Sequence, residues 1–527
     1  MRAALISYLM LGLLGAMSVA QAGEDSASPK KIGEVAFANS CTPEAQESLE
    51  RGVAWLHSFG FADGEQAFRE ALNRDPDCAI ATWGIATILI GNTFSVGPSP
   101  ENAQKAQKTI DRGRAIGAKS QRERDYIEAI AAYYDRFAER THGARIRSLS
   151  DAFEAMAQRY PDDDETQIFS ALYLTASQPP TDKSYSRARR AAAILEAQFA
   201  NHPNHPGVAH YLIHSYDYPA IARNGLPAAF CYAGIAPDAA HALHMPSHIF
   251  TRVGLWRESV DTNVSSVVAA KTDKDPGQVL HAMDYMVYAD LQLARDADAG
   301  AVVKESLGIS SPERTSAYAR AAIPARYAVE RGQWREAAVL ADSPDGKFPY
   351  TEALTLFARA IGAARSGDPA GAEKDVSRLA AIVAVLKAAK NDYWATEVEV
   401  QRLGAAAWIA FAGGHREEAL TLMRSAADME DASEKSAVSP GRILPARELL
   451  GDMLLESGRA DDAFAAYEAS LVNDPKRLRT FYGAASAAVA AGNRDKARDY
   501  FGLTVEMVDA GSTRPELLKA RQYLAAK

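Results

Sequence analysis

The sequence predicts an all-α protein, a solenoid of paired helices that curves around a concave groove. Three observations carry that expectation. Beyond Ala22 the apolar residues recur at helical spacing throughout, and no convincing alternating strand segment interrupts them. Short Gly or Asp-Pro breaks divide the chain into runs of about 12 to 15 residues, the length of a helix in a hairpin. The chain also repeats itself. ELLGDMLLESGRADDAFAAYEASLVNDP carries Leu450-Gly451, Leu454, Gly458, Ala463, Tyr467, Leu471 and Pro475, and 34 residues further on stand Ala484-Ala485, Ala488, Gly492, Ala497, Phe501 and Val505.

The small pair, turn glycine, small Ala, aromatic and closing Pro resemble the tetratricopeptide repeat. Small residues let the first helix of a pair (helix A) lie close to the second (helix B), and the aromatic fills the gap toward the next pair. Weaker copies occur at Phe68-Ala71-Leu72-Asp75-Pro76, at Gly332 to Ala337 and at Gly414 to Ala419, so the resemblance covers most of residues 44 to 508. It implies a superhelix whose groove is lined by the A helices. Residues 290 to 325 and MEDASEKSAVSPGR (429 to 442) fit no repeat, and the second reads as a long surface loop. The expected organisation is a signal peptide over 1–22, an N-terminal array over 23–310 and a C-terminal array over 311–527.

The signal peptide is read from Arg2, the apolar run from Ala3 to Met17 and the small-x-small close Ala20-Gln21-Ala22. An uncleaved anchor is the competing reading, since the run is almost long enough to span a bilayer. Cleavage implies a periplasmic or secreted protein with no membrane span in its mature form. A net charge of −9 and a pI near 5.8 argue against a nucleic-acid partner and an anionic membrane surface. Export bears on the three cysteines. If the helices stack, Cys41 and Cys78 sit at the same end of neighbouring helices and either form a disulfide or remain two buried thiols. Cys231 reads as core filler.

The histidines are the main chemical signal. His210, His214, His241, His244 and His248 fall within 39 residues of a chain that has eleven. His210 and His214 are four apart, so they share one helix face, and His244 and His248 repeat that pair 34 residues later. The tetratricopeptide resemblance places groove-lining residues at A-helix positions 2, 5, 9, 12 and 13. With Gly254 as the turn glycine, position 15, His241, His244 and His248 take 2, 5 and 9, and His210 and His214 take 5 and 9 one repeat earlier. If Ala294 takes the turn-glycine place in the next pair, His281, Asp284 and Tyr288 follow in the same register. Pro246 stands between His244 and His248, where it would start or kink a helix and could turn His241 and His244 away.

Pairs of neutral imidazoles on adjacent helices are workable donors for a divalent transition metal, Zn²⁺ or Cu²⁺. Asp217 and Asp284 are the nearest carboxylates to ligate or orient a ring. The competing reading is that groove histidines hydrogen-bond a peptide or one another. No HExxH is present, since the spacers are Tyr-Leu-Ile and Met-Pro-Ser, and no Ser-His-Asp order or phosphate-cradling loop is evident. Tyr285 and Tyr288 suit a polar ligand, whereas Tyr211 and Tyr218 read as packing aromatics. Glu448 and Asp452 occupy positions 5 and 9 of a C-terminal pair and offer a second ligand patch. His202 and His205 read as loop residues, and His57, His142 and His415 as structural. HALHMPSHIFTRVGLW is similar to a segment of exported bacterial tetratricopeptide proteins, which implies fold and location but no reaction. Three functions follow: a groove that binds a peptide or small polar ligand through the histidines and a metal, a metal-dependent hydrolase or oxidoreductase at the same residues, or a metal-free interaction scaffold.

Overall fold

The computed structural model describes residues 30–95, 97–312, 314–343 and 348–526. The expected signal peptide lies outside them. Residues 31–527 form one compact unit, and every regular element among the described residues is helical. The expected division at residue 310 falls between helix Asp296–Ser306 and helix Arg314–Glu330.

The helices come in antiparallel pairs, and the sequence repeat explains why they lie so close. Tyr467, on helix Ala460–Asn473, fills the space between Gly451 and Gly483 on the two flanking A helices. A Cβ on Gly451 would stand 2.7 Å from its ring, and one on Gly483 only 2.4 Å. Phe68 does the same near the other end of the chain, where Cβ atoms on Gly52 and Gly84 would approach it to 2.8 and 2.4 Å. Two distant pairs therefore use one packing device, a ring seated on two bare backbones. The turn position is equally regular. Gly254, Gly332, Gly414, Gly458 and Gly492 all have φ between 65° and 85°, the left-handed conformation that reverses the chain. Ala294 holds the same place with φ 56°, a conformation costing a side-chain-bearing residue about 1–2 kcal/mol, so the register proposed for the preceding helix is the one observed.

Cys41 and Cys78 form a disulfide with Cα atoms 4.8 Å apart, tying the starts of helices Pro43–His57 and Ile80–Ile88. Two expectations are corrected. Cys231 is exposed beside Phe230, which is 62% exposed, so it fills no core. Its helix Leu226–Ile235 is apolar almost all round, which hides the outward face from a periodicity argument. Residues 429–442 are not a surface loop. Helix Arg416–Asp431 takes up the first three, and Ser433, Glu434, Lys435, Ser439 and Gly441 are buried. The segment threads across the middle of the protein. Glu434 N–H donates to Pro180 O at 3.0 Å, and Arg326 donates to the carbonyls of Gly441 and Arg442 at 3.1 and 2.8 Å. Its polar composition is explained by these partners rather than by solvent.

Candidate metal centre

Three neighbouring A-type segments build the site. Helix Pro206–Tyr216 starts on Pro206 and presents His210 and His214 one turn apart. The second segment is helix Ala240–His244 followed by helix Pro246–Val253. Met245 between them keeps helical dihedrals (φ −54°, ψ −36°), and Pro246 occupies a first-turn position that needs no amide hydrogen. The helix direction therefore carries on through the proline, and His241 and His244 are not turned away. Helix Pro276–Gln292 adds His281.

All six rings are buried and form a continuous chain of contacts. Successive centroids lie 4.9 Å apart for His210–His214, 5.0 Å for His210–His241, 5.9 Å for His241–His244, 5.0 Å for His244–His248 and 4.4 Å for His244–His281. They divide into two triads, His210/His214/His241 and His244/His248/His281, and within each the three candidate donor atoms lie within 4.8 Å of one another. An ion about 2.0–2.1 Å from each nitrogen would draw tetrahedral ligands to about 3.4 Å, a closure within the reach of small χ rotations. The open groove expected for these residues is filled: Phe59 stacks on His241 (5.2 Å) and Phe94 on His214 (3.9 Å).

The nitrogen inventory distinguishes this cluster from ordinary packing. His210 Nδ1–H donates to the His57 carbonyl at 2.6 Å, so its Nε2 carries a bare lone pair. That Nε2 is buried with no hydrogen-bond partner, as are His214 Nε2, His241 Nε2 and His281 Nδ1. His244 Nδ1 lies 2.7 Å from Asn263 Oδ1, and the Asn263 amide is itself oriented by donation to Ser259 O at 2.7 Å, so His244 is the donor. His248 Nδ1 lies 2.9 Å from the Asp217 carboxylate. With both Nδ1 hydrogens so engaged, the Nε2 atoms of His244 and His248 face each other at 3.1 Å as two lone pairs. Two facing lone pairs repel, and a metal ion held between them would remove that repulsion. The pattern of a ring fixed by an acceptor on its far nitrogen is that of oriented metal ligands.

Burial sets the charge state. Desolvation lowers the pKa of His210, His214, His244 and His281 well below the usual histidine value, and that of His241 to about 3. Burial also lowers His248, opposed by its bond to Asp217. The rings are therefore neutral at neutral pH, the form that ligates. Asp217 is buried, but Lys435 and Arg252 hold its pKa well below the usual range, so it stays ionised. Tyr285 joins the second triad through its hydroxyl, 3.3 Å from His248 Nε2.

A third group, His57, Glu165 and His205, also has ligand-like spacing, but its bonding is complete. Val208 N–H donates to His205 Nδ1, whose Nε2 lies 2.9 Å from Glu165; His57 Nε2 lies 2.9 Å from the other Glu165 oxygen, and its Nδ1 is 2.9 Å from Tyr211 OH. Neutral rings and one ionised carboxylate satisfy every atom. His205 is thus a buried helix cap rather than a loop residue. A Pro at the next position was the available signal.

The other expected ligand residues fall elsewhere. Asp284 pairs with Arg326 at 3.3 Å, and Tyr288 OH accepts from Arg477 at 3.0 Å. Glu448 accepts from Arg477, Arg479 and Thr480 at 3.0, 2.9 and 2.5 Å, and Asp452 binds Arg479 and the Tyr467 hydroxyl, both at 2.6 Å. These side chains form an internal ion-pair network with no vacancy for a ligand at Glu448. Sequence reasoning missed Asn263, Phe59, Phe94 and Lys435, which reach the cluster from outside the A helices, and Arg252, which holds Asp217 from the end of helix Pro246–Val253.

No family model and no curated protein matches the sequence. Among solved structures, the chain is similar to yeast Tom70, with 11% identity, a TM-score of 0.29 and coverage of 90% of this chain and 87% of that one. It is also similar to a tetratricopeptide repeat protein from Parabacteroides merdae, with 10% identity, a TM-score of 0.24 and coverage of 76% and 99%. The helix pairs themselves, with their seated rings and turn glycines, make this a tetratricopeptide-like all-α solenoid. Neither likeness speaks to the histidine cluster.

Proposed function

We propose that this chain is an exported metal-binding solenoid, in which His210, His214 and His241 hold one divalent transition metal ion and His244, His248 and His281 a second, Zn²⁺ or Cu²⁺ being the natural candidates. The observation that carries the reading is the facing pair of Nε2 atoms at 3.1 Å, each on a ring whose other nitrogen is already engaged, together with four further buried nitrogens lacking any partner. A fully buried polar atom without a partner costs about 1–3 kcal/mol, so six rings arranged this way need a ligand to offset the cost. Three protein ligands per ion leave a coordination position open, as in sites that bind exchangeable ligands. Export is supported by the N-terminal sequence and by the Cys41–Cys78 disulfide, a bond that persists in oxidising compartments. Metal analysis of the mature protein, purified without a His-tag and exchanged into metal-free buffer before loading, tests the proposal. One to two ions per chain are expected, and a chain that takes up none would contradict it.

A further inference from the structure

A large cleft adjoins the first triad. Its volume is about 910 Å³, and its lining includes Phe94 and Gln178 from the N-terminal part of the chain and Tyr350, Asn391, Asp392 and Trp394 from the C-terminal part. His214 and Lys435 both line it, and both are otherwise buried. His214 Nε2 and Lys435 Nζ each lack a hydrogen-bond partner.

Lys435 stands beside Asp217 and Glu434, which also serve Arg252 and Lys183, while Asp474 acts on Arg252 from further away. Arg252 donates to Asp217 at 2.8 Å and lies 3.7 Å from Glu434, and Lys183 lies 2.7 Å from Glu434. Asp217 also serves His248. Lys435 has one ion-pair contact, 3.5 Å to an Asp217 already engaged by Arg252 and His248, and its Nζ lacks a hydrogen-bond partner at the cleft wall. A divalent ion on three neutral imidazoles would add positive charge nearby. Buried cations call for an anion. Tyr350 and Trp394, which line the cleft next to the polar Asn391 and Asp392, stack at 4.2 Å and 11° and supply a flat aromatic surface. The volume is in the range that holds a small organic molecule, about 300–1,000 Å³.

We infer that this cleft binds an organic carboxylate with a flat apolar body, its carboxylate lying against Lys435 and completing the coordination of an ion on His210, His214 and His241. The inference rests on the metal reading above for its coordination half and on Lys435 for the other half.

Biphenyl-4-carboxylate is a suitable probe, with biphenyl-4-carboxamide as its uncharged counterpart. Calorimetric titration of the zinc-loaded full chain should show the acid binding at least tenfold more tightly than the amide. Trp394→Ala should weaken the acid at least tenfold while zinc content stays unchanged, Lys435→Met should weaken it at least tenfold in protein loaded to the same zinc content as wild type, and removing zinc from the wild-type protein should weaken it as well. Equal binding of acid and amide by zinc-loaded wild type, or no binding of the acid there, would overturn the inference without touching the metal reading. Acid binding unaffected by zinc removal would overturn its coordination half. A chain that takes up no zinc is recognised by metal analysis alone and sinks the metal reading first.

Discussion

Two buried polar clusters lie within this solenoid, and they are opposite in character. Around Glu448 every charge has its partner: Arg477 reaches Glu330 and Glu448, Arg479 reaches Glu448 and Asp452, and Tyr467 and Tyr288 close the rim. Burial alone would raise the Glu448 pKa, yet Arg477 and Arg479 hold it at about 2, the behaviour of a closed ion-pair network. Around His244 the far side of each ring is fixed by Asn263 or Asp217, while the near-side Nε2 atoms of His244 and His248 face each other and the neighbouring His210, His214, His241 and His281 each keep a nitrogen without a partner. Both clusters occupy the repeat positions that line a groove. Position therefore gives both clusters alike as candidates, and the unsatisfied bonding is what sets the histidine cluster apart.

The largest expected contrast is with pH. Each of the six cluster histidines has a pKa in the folded state below its value of about 6.5 in the unfolded chain, so protons bind the unfolded state preferentially as pH falls. Stability contributed by these neutral rings is present above pH 6.5 and is lost as pH falls toward about 3, the value for His241. Each ring contributes up to about 1.4 kcal/mol per pH unit in that window. Urea unfolding of chelator-treated protein should show a steep loss of stability between pH 7 and 5, and zinc should move the loss to lower pH. A stability that stays level to pH 5 would mean the rings are not held neutral.

Glu448→Ala should cost about 3–5 kcal/mol, because it strands Arg477 and Arg479 as buried cations. Metal content of the folded fraction should be unchanged. A drop in metal content would show that the two clusters are not separate. The double variant His214→Ala/His248→Ala should do the reverse. It should abolish the metal-induced gain in stability, which at a hundredfold excess over Kd is about 2.7 kcal/mol, while the metal-free protein stays folded. Full metal occupancy in that variant would place the ions elsewhere.

The smallest effect expected is for Asn263→Leu, which removes the acceptor that fixes His244 without touching the donor nitrogen. Loss of such an orienting partner weakens a metal site by about 10–100-fold. Competition against a chromophoric chelator would read it. His57→Gln is the matched control at the satisfied triad, where a stability cost with unchanged metal affinity is expected.

Much of this was legible in the sequence. The 34-residue spacing placed His244 and His248 one repeat beyond His210 and His214, and Ala294 does hold the turn-glycine conformation that brings His281 into line. The seated rings of Phe68 and Tyr467 follow from the same small-residue pattern. What periodicity could not show was which groove residues satisfy one another. Asp284, Tyr288, Glu448 and Asp452 share the register of the histidines, but their partners Arg326, Arg477 and Arg479 come from other helices at long sequence separation. The segment 429–442 reads as a solvent loop because its residues are mostly polar. Glu434 and Lys435 are instead buried against the N-terminal half, a contact that no local signal encodes.

X-ray absorption at the metal edge of zinc- or copper-loaded, tag-free protein tests the central claim most directly. The account predicts a first shell dominated by about three imidazole nitrogens at about 2.0–2.1 Å, with the multiple-scattering signature of histidine rings. A first shell of oxygen ligands without imidazole scattering, or no bound metal to measure, would contradict it.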